Sequence, residues 1–136
     1  MRVLIDTCII MDARQEREPF FKNARKIFEL VKNEEFEAFI TVKSAMDIHY
    51  VVKHILHDEI KTRVIISDLF EMFGVLDSKA DEAREALFSS INDYEDALMV
   101  KTALANNIDM IVTRNMKDYV NADIKIVNPD ELLKLF

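Results

Sequence analysis

At 136 residues, half of them hydrophobic and 32% charged, the chain has the length and balance of one globular domain with its own core. A net charge of -7 excludes nucleic-acid binding by bulk charge alone, and one cysteine, Cys8, excludes an internal disulfide. No apolar run nears the roughly 18 residues of a membrane span, and MRVLID is too short for a secretory signal core, so the expectation is a soluble, cytoplasmic protein with no membrane partner.

A single Gly and two Pro leave few tight turns, which favours helices over a sandwich of hairpins. RVLI (2–5) is a short β-rich apolar run and predicts a buried strand. Pro19 suits a first helical position, and FFKNARKIFELVKN carries helix-period apolar residues behind it. EAFIT (37–41) predicts a strand, and Lys43 to Leu56 a helix whose Ile48, Val51, Val52 and Ile55 form one face, with Ser44 as its N-cap. A further helix over 58–72 leads to a short strand at 74–76, then a helix over 79–89. Residues 93–106 predict a helix ended by Asn106-Asn107, DMIVT (109–113) and IKIV (124–127) two strands, and Pro129 opens the last helix. No repeat, linker or low-complexity stretch divides residues 1–136. Strands alternating with helices imply one α/β domain, a central parallel sheet flanked by helices in three layers. Ligands bind such sheets at the carboxyl ends of the strands.

The acids fall there. Asp6 directly follows the first strand. Asp93 and Asp96 lie about 60° apart on a helical wheel, on the arc of Val100, Ala103 and Leu104, while Glu95 points away with Thr102. Capping accounts for this pair as well, with Asp93 at the N-cap and Asp96 at the third position. Asp47 lies one turn before Val51 on the inward stripe of its helix, and Thr113, Asn115 and Asp118 follow the strand DMIVT. Carboxylates converging without matching Lys or Arg repel one another unless a cation sits among them. Oxygen donors suit Mg2+ or Mn2+. With these five aspartates set aside, the rest of the chain is close to neutral. His49, His54 and His57 lack zinc-ligand spacing, Cys8 has no sequence-near base, and no Gly-rich phosphate loop is present.

LIDTCIIMD, ITVKSAMDIHYVVKH and INDYEDALMVKTALANNIDMIVTRNMKDY, with the closing IVNPDELL, together resemble a PIN domain, the fold of VapC-type toxin ribonucleases. The resemblance implies hydrolysis of RNA phosphodiesters by water activated at Mg2+ or Mn2+. It makes Asp6, Asp47, Asp93 and Asp96 the catalytic acids and Asp6, Asp96 and Asp118 the metal ligands. Thr113, Arg114, Asn115 and Lys117 are then substrate contacts, with Lys53 a further phosphate contact. Asp47 stands where the family usually has Glu, Asn115 where it commonly has an acid, and Cys8 where it often has Asn. An antitoxin protein is the implied partner. The alternative is a non-catalytic PIN-like module that binds RNA or protein. A phosphatase or phospho-receiver fits poorly, because Asp6 has no second acid two residues on. Val51, Val52, Ile55, Ile60, Val64, Ile65 and Ile66 exceed what one core-facing stripe needs, so a homodimer is expected.

Overall fold

The computed structural model describes residues 1–136. Its elements run β1 (Arg2–Ile5), α1 (Thr7–Arg14), α2 (Phe21–Lys32), β2 (Glu37–Thr41), α3 (Val42–Leu56), α4 (Glu59–Met72) and β3 (Gly74–Leu76). They continue through α5 (Ala80–Ala86), α6 (Tyr94–Ala105), β4 (Met110–Val112), a 3-10 turn at Met116–Tyr119, β5 (Lys125–Val127) and α7 (Pro129–Leu133). The five strands form one sheet in the order β3-β2-β1-β4-β5, with every pairing parallel. The α/β architecture expected from the alternation of strands and helices is the one observed.

Alternation along β1 builds two cores. Val3 and Ile5 face a large cluster that includes α1 (Ile9, Ile10), α2 (Ala24, Ile27), α3 (Ala45, Ile48) and α7 (Leu132). Leu4 faces a smaller cluster with Ile111 of β4 and Ala97, Val100 and Ala103 of α6. The chain therefore reverses direction across the sheet at β1, between β2 on one side and β4 on the other. That switch point opens a crevice at the carboxyl edge.

Two local expectations are corrected, and one stretch without an expectation gains a helix. Residues 7–14, unassigned by pattern, form α1: Thr7, Ile9 and Ile10 are β-branched and weak helix formers, but burying Ile9, Ile10 and Met11 overrides that preference. α3 starts one turn earlier than Ser44 suggests. Its N-cap is Thr41, whose Oγ1 accepts from the Ser44 backbone N–H at 3.0 Å. Pro19 lies in a turn, and α2 begins two residues beyond it at Phe21. No helix is long and apolar enough to cross a membrane.

Candidate active site

β1 delivers Asp6 to the carboxyl edge, where its backbone N–H continues the ladder to Val112 at 3.0 Å. Asp6 occupies the N-cap position of α1, and Asp is among the best capping residues, yet its side chain makes no capping bond. The Asp6 carboxylate instead accepts at Oδ2 from the Thr113 hydroxyl at 2.7 Å and from the Cys8 thiol at 3.3 Å. Thr113 is fully buried, and its own N–H bonds Val127 at 3.0 Å, so the donor is fixed by the sheet. Oδ1 of Asp6 makes no hydrogen bond within the protein.

Asp96, in the first turn of α6, is held in the same manner. The Tyr119 hydroxyl donates to its Oδ1 at 3.0 Å, with Met99 sulfur close by at 3.3 Å, and Oδ2 has no partner. Burial pushes the Asp96 carboxyl up to about 6; the Tyr119 bond opposes this, and the charges of Asp93, Asp6 and Asp118 add to it. A partly buried acid that feels three other acids and makes no salt bridge of its own favours a bound positive charge. Burial first, then the Asp6 and Asp96 charges, raises the Tyr119 phenol far above its ordinary value, which keeps it a donor. Burial and the Asp6 charge push the Cys8 thiol up to about 12, so at neutral pH it is a protonated donor to Asp6, not a nucleophile.

Asp6 and Asp96 line one depression of about 130 Å3 with Thr7, Thr41, Lys43, Ser44, Asp47, Ser78, Glu95, Leu98 and Met99. That volume suits a hydrated ion and phosphate oxygens better than a nucleobase. Asp47 reaches the depression from the flank of α3, not from its buried stripe of Ser44, Ala45, Ile48 and Val52. Its side chain is 49% exposed and ion-paired to Lys43 at 2.5 Å. Glu95, which the helical wheel turns away, also lines it and meets Lys43 at 3.1 Å. In a first helical turn a long side chain reaches past the helix end, which a wheel does not represent. Burial works against the Lys43 ammonium, but hydrogen bonds to Asp47 and Glu95 outweigh it and hold its pKa above the ordinary value.

Asp93 is exposed and is the N-cap of α6, accepting the Asp96 N–H at 3.0 Å; it lies outside the lining but close enough to act on the Asp96 charge. Asp118 sits in the 3-10 turn, exposed, and acts on Asp96 only through its charge. The Asn115 N–H donates to the Thr113 hydroxyl at 3.0 Å, and Lys117 is exposed with no ion pair. Arg114 is engaged elsewhere, forking onto fully buried Asp12 at 2.6 and 3.2 Å and stacking on Phe20. Lys53 pairs with Glu59 on the distal half of α3. Sequence reasoning missed Tyr119, Lys43 and Glu95. The only available sign was a Tyr closing the loop TRNMKDY.

The model of the PIN domain family matches residues 2–117, and the chain belongs to that family. Its fold is similar to VapBC2 from Rickettsia felis bound to a promoter DNA fragment, with a TM-score of 0.67 at 18% identity over 94% of this chain and 98% of that one. A toxin-antitoxin complex from Klebsiella pneumoniae gives 0.68 at 22% identity, over 93% and 97% of the two chains. DNA-bound VapBC from Salmonella typhimurium gives 0.68 at 17% identity, over 95% and 98%. No curated protein matches the sequence.

Proposed function

We propose that this protein is a Mg2+- or Mn2+-dependent endoribonuclease, the toxin of a toxin-antitoxin pair, acting in the cytoplasm. The observation that carries the reading is the matched pair Asp6 and Asp96. Each carboxylate is held at one oxygen by the hydroxyl of a buried residue, and each leaves the other oxygen without a partner inside the protein. The donors are oxygens, as a hard divalent ion requires. No three acid, imidazole or thiol groups converge on one point, so the chain would hold the ion through these two carboxylates, with water and substrate completing the shell. Such an ion supplies Lewis acidity toward a phosphate and a more acidic bound water.

The chain's own residues do the rest. Thr113 and Tyr119 fix the two acids in place. Asp93 and Asp118 add negative charge beside Asp96. Lys117 and Asn115, beside Thr113, are the proposed phosphate and sugar contacts, with Thr113 at their base. The relatives of similar fold are toxin-antitoxin assemblies, which supports an antitoxin as partner. The ion pair of Asp47 with Lys43 and the neutral Asn115 favour a second reading, a non-catalytic PIN-like module for RNA or protein binding.

Cleavage of a labelled RNA by the purified chain tests the reading. Activity should require Mg2+ or Mn2+, stop with chelator, and fall by orders of magnitude in a folded Asp96→Asn variant. Asn keeps an Oδ1 that can accept from the Tyr119 hydroxyl, so a purely structural Asp96 would leave activity unchanged. Cleavage that survives chelation or Asp96→Asn would sink the catalytic reading, and RNA binding without any cleavage would establish the second one.

A further inference from the structure

The depression is lined by four carboxylates, Asp6, Asp47, Glu95 and Asp96, and by one cation, Lys43. The acids divide into two pairs. Asp6 and Asp96 are held only by hydroxyl and thiol donors and make no salt bridge. Asp47 and Glu95 share the Lys43 ammonium, at 2.5 Å to Asp47 Oδ2 and 3.1 Å to Glu95 Oε2. Lys43 and Asp47 lie in the first turns of α3 and Glu95 in the first turn of α6, and Lys43–Glu95 is the salt bridge that joins these two helices. The Lys43 side chain is 34% exposed, so it is partly enclosed by the depression, not extended into solvent.

From this arrangement we infer that Lys43 is a built-in second cation: it occupies the Asp47–Glu95 half of the depression, so that the site accepts a single divalent ion, at Asp6 and Asp96. The inference rests on the metal-dependent reading above. Two-metal sites need two ions about 3.5–4 Å apart, each with its own oxygens. Here one oxygen of each acid that would serve the second ion, Asp47 Oδ2 and Glu95 Oε2, already binds an ammonium, whose positive charge repels a divalent ion at the other oxygen. Charge points the same way. Four acids balance two divalent ions, whereas four acids and an ammonium leave a second divalent ion in excess. Removing the ammonium while keeping the acids should therefore open a second ion position between Asp47 and Glu95.

Binding stoichiometry tests this without reference to activity. Mn2+ is titrated calorimetrically into the metal-stripped full chain, and bound Mn2+ is counted independently by electron paramagnetic resonance. The parent should bind one Mn2+ per chain, Lys43→Gln and Lys43→Met two, and Lys43→Gln combined with Asp47→Asn one again. Two ions in the parent, or one in both Lys43 variants, overturn the inference. The latter would leave Lys43 as a surface ion pair, and such a pair shifts stability slightly but not ion count. A parent that binds no Mn2+ overturns it together with the metal-dependent reading beneath. The expected counts in a chain that cuts no RNA support the inference while sinking the nuclease reading, so the two failures are distinct.

Discussion

Arg114→Ala separates a residue that holds the fold from one that contacts substrate. The guanidinium forks onto Asp12 through Nε at 2.6 Å and Nη2 at 3.2 Å, and Asp12 is completely buried. Removing one partner of a buried pair leaves an uncompensated charge and destabilises by about 3–5 kcal/mol. Arg17 remains 3.8 Å from the same carboxylate but is 40% exposed, so it recovers only part of that loss. Loss of the Arg114 stack, 4.3 Å above the Phe20 ring centroid, adds about 0.5–1 kcal/mol. The net is about 3 kcal/mol, a fall in Tm of about 10 °C at this chain length. Thermal unfolding followed by circular dichroism, with urea titration as a check, measures it. Arg114→Lys keeps the charge but loses the fork and should fall between parent and Ala. A folded Arg114→Ala that melts within about 2 °C of the parent, yet cleaves RNA poorly, would refute this account and return Arg114 to the substrate.

The pH dependence of the metal-free protein follows from Asp96, whose carboxyl is pushed from 3.8 up to about 6, first by burial and then by Asp93, Asp6 and Asp118 against the Tyr119 bond. The folded value lies above the unfolded one, so this contribution to stability is complete below 3.8 and is lost as pH rises through about 6. Urea midpoints should therefore fall less in Asp96→Asn than in the parent across that window, and parallel curves would contradict the assignment. Gly74→Ala places a Cβ 2.5 Å from Phe39 Cδ1, on a ring already covered by Arg2, and should destabilise by about 1–3 kcal/mol in urea unfolding; an unchanged midpoint would show that the ring moves freely. Ile55, Ile60 and Val64 are 56%, 78% and 56% exposed around the α3–α4 hairpin, so light scattering should give the mass of a dimer and Ile60→Glu with Val64→Glu that of a single chain. A single-chain mass for the parent at micromolar concentration would rule the dimer out.

The sequence determined the strands and the edge at which chemistry is expected. RVLI, EAFIT and DMIVT are short apolar β-rich runs between helical periods, a pattern that only a covered parallel sheet satisfies. Asp6 comes directly after one of those runs and Thr113 ends another, so their place at the carboxyl edge was legible in the order of residues alone. Asp93 as N-cap and the helix ending before Asn106 were legible for the same reason: capping is a local interaction. The tertiary structure decided what those residues touch. The Thr113 hydroxyl meets Asp6 across 107 positions, and Tyr119 meets Asp96 across 23. Arg114 looked like a free cation until Asp12, 102 positions away, was seen buried beneath it. Lys43 and Glu95 become partners because α3 and α6 start at one edge of the sheet. Periodicity gives the face an element buries, but not which element covers that face or how far a long side chain extends past a helix end. Those are settled only when the whole sheet packs and each buried polar group must find its partner there.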